Sequence, residues 1–334
     1  MKIKISVFLF LFLSSFSYSQ DLHFSAFHFL NTNFNSASSN PQFIGYTAAA
    51  GYRNQYRTVP VNYNTASLNV NKHGKLKFLN YTVGIQFNSD KAGDVSYSRT
   101  EFFIPAAIHY KLVSNHFLSL GISPGVKSFS VDPNKMTFDE QFQNGSYNNL
   151  NVNGESLSRF SVFIPSSLIS FNYTLSQIGN FRNIQFGASR MILLDKNKEW
   201  VKNSIPSFNR LNNFLLSVDY ILNENNFLRL NSLFQKQSVQ NNLINGISYH
   251  HVLNRNQGIT KAIALGLFYR QKDALIIQPS FVYDNYELAI SYDVNSSKFK
   301  SATNSRGAFE ICIRYKLNTF FEKLPLKKSC PVFI

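Results

Sequence analysis

Residues 286–317 alternate between apolar and polar side chains over two consecutive stretches, which restricts this part of the chain to β-structure. A strand turns successive side chains to opposite faces, so a period of two gives one apolar face and one polar face. In a soluble sandwich the apolar face packs in the core, whereas in an outer-membrane barrel it contacts lipid and the polar face lines the lumen. The two stretches alone leave both folds open. The apolar positions are Tyr286, Leu288, Ile290, Tyr292, Val294, Phe309, Ile311, Ile313, Tyr315 and Leu317, and the opposite positions include Glu287, Asp293, Glu310, Cys312, Arg314 and Lys316.

The N-terminus has the layout of a secretory signal peptide. Lys2 and Lys4 precede an apolar run over residues 5–16, and Ser17-Tyr18-Ser19 supplies a small-x-small cleavage site before Gln20. A membrane-anchoring helix is the alternative, but the run is shorter than the ~20 apolar residues that span a bilayer. We therefore expect cleavage near Ser19/Gln20 and a mature chain outside the cytoplasm.

The composition favours strands and polar loops over helices. The chain contains 33 Phe and 17 Tyr beside a single Trp, and no change in composition indicates a domain linker. Its formal net charge is +15, with the basic residues scattered along the sequence. Ordinary solvation of the scattered charges explains this excess. If it has a binding partner, lipid phosphates or an acidic protein are expected for a secreted chain rather than nucleic acid. Cys312 and Cys330 could form a bridge, although packed cysteines in strands are common.

About 14 alternating segments follow one another from residue 47 onward, and they predict an up-and-down antiparallel barrel. One predicted strand runs through residues 102–112 with Pro105 on its polar face. Short turns at 113–115, 223–226, 254–258 and 284–285 alternate with long connections at 130–156, 194–207 and 295–306. Short periplasmic turns and longer outer loops are typical of bacterial barrels, and a soluble sandwich does not explain their alternation. The link at 272–274 departs from it.

The predicted organisation has four parts: signal peptide 1–19, N-terminal segment 20–46, barrel 47–317 and C-terminal tail 318–334. The N-terminal segment is rich in aromatic residues without a clean period. It is expected to be either a plug in the barrel or a periplasmic arm. Inward charges could pair across the lumen or be solvated within it; these are Arg53, Glu287, Asp293, Glu310, Arg314 and Lys316.

No residue pattern in the sequence predicts catalysis, a metal site or a cofactor. Asp139-Glu140 could hold calcium or act in acid–base chemistry, but no partner base is evident and a structural loop explains the pair. His250-His251 would point to opposite faces of a strand, which disfavours a shared metal. Metalloprotease, Cys-x-x-Cys, nucleophile-elbow and phosphate-loop motifs are absent from the sequence. A non-enzymatic protein is predicted.

Four ordered motifs resemble the PorP/SprF family of outer-membrane proteins of the Bacteroidetes type IX secretion system. They are Gln20-Asp21-Leu22-His23-Phe24-Ser25 at the mature N-terminus, Tyr52-Arg53-Asn54-Gln55-Tyr56 on the first strand, Phe138-Asp139-Glu140-Gln141-Phe142 in the longest loop, and Arg306-Gly307-Ala308-Phe309-Glu310 on the last strand. Cys330-Pro331 is similar to the family's ending. The sequence departs from the pattern at Asn35-Ser36-Ala37, where the family has Asn-Pro-Ala, at Tyr56 in place of Trp, and at Ala308 in place of a second Gly.

The resemblance implies an outer-membrane barrel that works with the type IX machinery, in some members as a core component and in others as the partner of a large secreted adhesin, as in gliding motility. We expect the second role, in which the barrel assists export or surface attachment of the adhesin's C-terminal domain. Loops 130–156 and 295–306 would face the adhesin, and the periplasmic turns the machinery. The expected partners are therefore outer-membrane lipid and secretion components or the adhesin.

Two other functions fit the same pattern. A porin or hydrophobic-solute transport barrel could use residues 20–46 as a plug, because a barrel of about 14 strands has room for a lumen. A structural adhesin or lipid-binding barrel would need no secretion partner. Liposome swelling distinguishes the first of these functions from a plugged partner protein.

Overall fold

The computed structural model describes residues 23–55, 63–93, 97–132, 139–143, 145–148, 161–194, 210–254, 260–297 and 306–318. The predicted signal peptide, Tyr56, Phe138 and the tail with Cys330 lie outside these ranges, as does most of the loop at 130–156. The strands are β1 Gly45–Gln55, β2 Tyr63–Lys75, β3 Asn80–Ala92, β4 Tyr97–Phe103, β5 Ala106–Val113, β6 His116–Ser130, β7 Phe142–Gln143, β8 Ser146–Tyr147, β9 Ser161–Ile178, β10 Phe181–Leu193, β11 Leu211–Ile221, β12 Asn226–Gln237, β13 Gln240–Asn254, β14 Lys261–Arg270, β15 Ala274–Tyr283, β16 Tyr286–Asn295 and β17 Arg306–Asn318.

The strands form one closed antiparallel barrel. Adjacent positions in the wall follow the order of the sequence, and β1 pairs with both β2 and β17, which leaves no free edge in the barrel wall. Strands β4 and β5 share one position between β3 and β6, so the wall has 14 strand positions. The predicted fold class and strand number are confirmed. The short pair β7–β8 forms a separate two-stranded sheet in the long loop.

The prediction of one strand through residues 102–112 was wrong, because Pro105 divides it into β4 and β5. Proline has no amide hydrogen for the ladder and is excluded from the middle of a regular strand. The wall stays joined around the break. The amide of Ile104 donates to the Pro124 carbonyl at 2.9 Å, and the amide of Gly84 donates to the Pro105 carbonyl at 2.9 Å.

Apolar side chains cover the outer face and mostly polar side chains face the lumen, as the alternation predicts for a membrane barrel. Inward apolar residues form clusters inside the barrel, one around Phe103 and Ile164 and one around Leu233 and Phe268. In β16, Tyr286, Leu288, Ile290 and Tyr292 are exposed while Ser291 and Asp293 are buried. Outward tyrosines also form a band near each end of the wall, the arrangement by which barrels sit at the two membrane–water interfaces. One band contains Tyr46, Tyr110, Tyr249, Tyr283 and Tyr286, and the other contains Tyr52, Tyr63, Tyr269 and Tyr292.

The two ends of the barrel differ in their connections. One end carries turns such as residues 114–115, 179–180, 222–225 and 284–285, and we refer to it as the short-turn end. The opposite end carries the long connections 131–160, 194–210 and 296–305, although the links 238–239 and 271–273 there are short. By the usual rule for bacterial barrels, the short-turn end faces the periplasm.

Residues 23–44 lie inside the barrel, and we call them the inner segment. His23 lies beside Gln235 and Gln240 at the long-connection end, and the Pro41 carbonyl accepts a hydrogen bond from Asn80 Nδ2 at 2.6 Å at the short-turn end. The inner segment therefore runs the length of the lumen before β1 begins at Gly45. It contains only short helical turns, at Phe27–Phe29 and Asn31–Phe34. Over the described ranges, no helix is long and apolar enough to cross a membrane.

Candidate functional site

A buried cluster of charges joins the inner segment to the barrel wall. We call it the Ser25 cluster; its members are Ser25, Arg53, Arg270, Asp293 and Glu310, each at most 3% exposed. Alternation places the four charged residues on the inner face of β1, β14, β16 and β17, so the wall supplies them from four strands.

Two arginines in this cluster share one carboxylate. Asp293 lies 2.8 Å from Arg53 Nη2 and 3.0 Å from Arg270 Nη1. Arg53 also pairs with Glu310 at 3.1 Å, and Arg270 with the less buried Asp273 at 2.8 Å. Burial of unpaired charges is costly, so the close pairing is what allows these groups to stay out of water.

The inner segment completes the cluster with polar groups of its own. The backbone amides of Ser25 and Ala26 donate to the two oxygens of Glu310 at 2.8 and 2.9 Å. The Ser25 hydroxyl donates to Asp293 at 2.7 Å and accepts hydrogen bonds from both Arg53 and Arg270. Charge-assisted bonds of this kind are roughly twice as strong as neutral ones. The cluster therefore holds the inner segment to four wall strands at one point.

A second set of contacts fixes the inner segment where the family pattern has Asn-Pro-Ala. Asn35 Nδ2 donates to the Phe171 carbonyl at 2.9 Å, and the Ser36 hydroxyl lies 3.1 Å from that of Ser170. The wall comes close because Gly121 lacks a side chain. A Cβ built there would lie 2.5 Å from Ser36 Oγ and 3.0 Å from the Ala37 amide nitrogen.

A polar cavity of about 400 Å³ lies between the inner segment and the wall at the short-turn end. Its charged lining residues include Arg182, Arg229, Arg314, Lys316 and Asp219, and we call it the basic cavity. Arg229 Nε lies 2.6 Å from Asp219 Oδ1. Arg314 Nε donates to Glu287 at 3.1 Å, and Arg314 Nη1 donates to the His28 carbonyl at 3.1 Å.

His28 of the inner segment packs as an aromatic group beside the basic cavity. Its ring stacks on Phe268, and its Nε2 lies 3.2 Å from Gln278 Nε2. These contacts fix the imidazole against the inner face of β14 and β15.

The structure brings two of the four motifs to the Ser25 cluster through Arg53 and Glu310, and the N-terminal motif joins them through Ser25. Their neighbours play other parts. Gln55 lies inward and accepts a hydrogen bond from Arg53 at 3.3 Å, and a Cβ at Gly307 would meet the Asp293 carbonyl at 2.5 Å. The remaining positions lie elsewhere on the wall: Tyr52 and Phe309 face outward, Asn54 bonds Asn64, and the Arg306 carbonyl accepts from Asn295.

The loop motif lies apart from this cluster. Asp139 begins a short 3₁₀ turn, Asp139–Gln141, ahead of the hairpin β7–β8. Gln141 is buried and its carbonyl accepts the Asn148 amide at 2.9 Å, whereas Phe142 is exposed. The first residue of the loop motif, Phe138, lies outside the described ranges, as does Tyr56 of the first-strand motif.

Sequence reasoning missed several residues that line the lumen. Four charged residues lie in strands that were predicted, but their side chains were not recognised as facing the lumen. They are Arg270 and the cavity residues Arg182, Asp219 and Arg229. Of the six inward charges considered earlier, five are in ion pairs, and Lys316 has no ion-pair partner among the described residues. Cys312 is buried beside Glu310. Cys330, with which Cys312 could form a bridge, lies outside the described ranges.

His250 and His251 point to opposite sides of β13, as expected for neighbours in a strand. His250 is buried with its Nε2 2.9 Å from Ser248 Oγ, and His251 bonds Asn226. Within the described ranges, His, Cys, Asp and Glu side chains form no group of three that could hold a metal ion.

Comparison with known proteins identifies both the family and the fold. The profile described as "Type IX secretion system membrane protein PorP/SprF" matches residues 16–315. No curated protein matches the sequence. Among solved structures, a Pseudomonas aeruginosa FadL homologue is similar at 10% identity, with 84% of this chain and 93% of that chain covered and a TM-score of 0.50. The Ralstonia pickettii toluene transporter TbuX, at 10% identity, covers 85% and 92% with a TM-score of 0.48. At 10% identity, the likeness to the FadL homologue indicates a shared barrel fold and no more.

Proposed function

Because the chain belongs to the PorP/SprF family of type IX secretion system membrane proteins and folds as an outer-membrane barrel, we propose that it assists the export or surface attachment of a cognate secreted adhesin. It acts in this role without catalysis, by presenting surfaces at both ends of the barrel. The partners are the C-terminal domain of the adhesin at the outer loops and secretion components at the periplasmic turns.

The observation that supports this role over solute transport is the inner segment. It runs from one end of the lumen to the other and is held by buried ion pairs and by contacts to β6 and β9. A general porin needs an aqueous path through its lumen. A barrel whose lumen holds its own chain is better suited to binding proteins at its ends.

A pull-down of the tagged protein from gently solubilised outer membranes tests the proposal. We expect mass spectrometry to recover a large adhesin C-terminal domain, or secretion components of the envelope, in proportion to the barrel. Recovery of the barrel alone at good yield contradicts the proposal. Deletion of residues 149–156 or of 298–305, which lie within the two predicted outer loops and leave the described strands intact, is expected to reduce adhesin on the cell surface. Unchanged surface display after both deletions would count against the loop assignment.

Liposome swelling tests the transport alternative separately. Vesicles that contain the purified barrel should swell no faster in small sugars than vesicles without protein, while a known porin serves as the positive control. Rapid swelling would favour the porin alternative. It would indicate that the inner segment moves aside to open the lumen and does not block it permanently.

A further inference from the structure

The basic cavity carries more positive than negative charge in its lining. Asp219 is bound by Arg229 and Glu287 by Arg314, so both carboxylates already have a partner. Within the described ranges, Arg182 and Lys316 form no ion pair, although Arg182 lies in the field of Asp219. Lys316 in turn lies in the field of three cations, Arg314, Arg229 and Arg182, and of one carboxylate, Glu287. Like charges held this close repel one another, and an anion between them would relieve the repulsion.

The guanidinium groups in the basic cavity are oriented by an aromatic ring. Arg182 and Arg229 both lie over Phe227, at 5.7 and 5.6 Å from the ring centroid. The planar fork of Arg182 matches the two oxygens of a carboxylate or phosphate, whereas Arg229 already donates through Nε and Nη2 to Asp219 and has Nη1 left for a ligand. Such preorganisation lowers the entropy cost of binding an anion.

Asparagine side chains with unpaired amide atoms, as far as the described residues show, also line the cavity. Both amide atoms of Asn69, the Oδ1 of Asn71 and the Nδ2 of Asn231 are buried with no hydrogen bond within the described part of the chain. Buried polar atoms are normally paired, and each unpaired one costs free energy. Donors and acceptors in this mixture suit peptide groups, which also present both.

The position of the cavity decides which kind of anion can reach it. Exposed side chains at its rim, namely Gln177, Arg182 and Lys316, lie at the short-turn end. The strands around it are joined by continuous ladders from β9 to β12 and from β17 through β1 to β2, so no lipid in the bilayer can enter sideways. A ligand must therefore enter from the aqueous periplasm. The cavity volume of about 400 Å³ is in the range of ligand-binding cavities, ~300–1,000 Å³.

We propose that the basic cavity binds an acidic peptide segment, with its carboxylates between Arg182, Arg229 and Lys316 and its backbone against the asparagines. This inference goes beyond the role in secretion. It is tested on the purified barrel in detergent, so its failure leaves the proposed function untouched.

The probe is a fluorescein-labelled acidic pentapeptide, and its isosteric amide serves as the uncharged probe. Fluorescence anisotropy should show about tenfold tighter binding of the acidic peptide, lost at high salt. The double variant R182Q/K316Q should weaken this binding about tenfold, because it removes the two cations that have no ion-pair partner. The matched control K75Q/K77Q removes two charges from the same end of the barrel but outside the cavity, and should bind like the wild type.

Three results would overturn the proposal. The first is equal affinity for the acidic peptide and its amide. The second is R182Q/K316Q binding as tightly as the control while heat-modifiability on gels confirms that both variants are folded. The third is displacement of the probe by inorganic phosphate or a short-chain phospholipid at concentrations where unlabelled acidic peptide has no effect, which would assign the cavity to a phosphate group instead.

Discussion

At the scale of single residues, the Ser25 cluster shows how a hydroxyl can connect charges that a soluble protein would expose. Ser25 Oγ accepts from Arg53 and Arg270 and donates to Asp293, so removal of any one partner leaves another buried group without its complement. Truncating one member of a buried ion pair costs more than the pair contributes, because the remaining charge stays out of water.

We expect Glu310→Gln to destabilise the barrel by about 3 kcal/mol, since it leaves the shape unchanged but removes the charge that faces Arg53. Urea-induced unfolding in detergent, followed by tyrosine fluorescence, measures the change. The control Asp284→Asn alters an exposed turn residue whose positive φ an asparagine tolerates, and should shift stability by no more than about 0.5 kcal/mol. Equal effects of the two substitutions would contradict a structural role for the cluster.

At the scale of elements, the inner segment depends on a close approach to the wall. Gly121 of β6 lies against Ser36 and Ala37, and a side chain there has no room unless the inner segment moves. A side chain at this position would displace the inner segment. The barrel wall would stay intact, because β6 pairs with β5 and β9 through backbone hydrogen bonds.

Gly121→Val should therefore loosen the inner segment while the barrel remains folded. Hydrogen exchange is expected to accelerate about tenfold or more across residues 31–40, with little change in β9 and β10. The neighbouring substitution Leu120→Val alters the lipid-facing side of the same strand and serves as the control. Unchanged exchange rates in residues 31–40 of G121V would show that the inner segment accommodates the added side chain without losing its contacts.

Outward residues respond to depth in the bilayer. Leu265 lies near the middle of β14 and Tyr283 at the end of β15, both exposed on the outer face. Leu265→Arg should cost about 2–4 kcal/mol and Tyr283→Arg at most about 1 kcal/mol, because the cost of a lipid-facing cation falls toward the interface. Equilibrium refolding into short-chain lipid bilayers measures both. A larger cost for Y283R than for L265R would place the membrane elsewhere on the barrel.

At the scale of the whole molecule, the alternation of short turns and long connections sets the orientation. An epitope inserted between Ser238 and Val239, the link from β12 to β13, should bind antibody on intact cells. The same epitope at residues 223–224, in the turn from β11 to β12, should require permeabilised cells. The opposite pattern would place the basic cavity on the cell surface and exclude a periplasmic ligand for it.

The barrel was predictable from sequence because each strand repeats a local rule, as Tyr286, Leu288 and Ile290 show. The Ser25 cluster was only partly predictable. Arg53 and Glu310 were recognisable as motif residues and as inward charges, but 257 positions separate them and no local rule pairs them. Their meeting depends on the closure of the barrel and on the path of the inner segment, which has no period. Pro105 was misjudged because its effect on the ladder outweighs the hydropathy of its neighbours.

The register of the closing seam gives the Ser25 cluster a further meaning. Arg53 of β1 and Glu310 of β17 are direct partners across the junction of the first and last strands. Until those strands meet, Arg53 has neither of its two carboxylates, because Asp293 and Glu310 both lie across the seam. The inner segment is also bonded to β9, β10 and β11, so closure of the barrel completes its attachment at the Ser25 cluster. A chain that lacks the last strand, or closes in a shifted register, keeps a buried arginine without its carboxylates, and this uncompensated charge distinguishes an incomplete barrel chemically from a finished one.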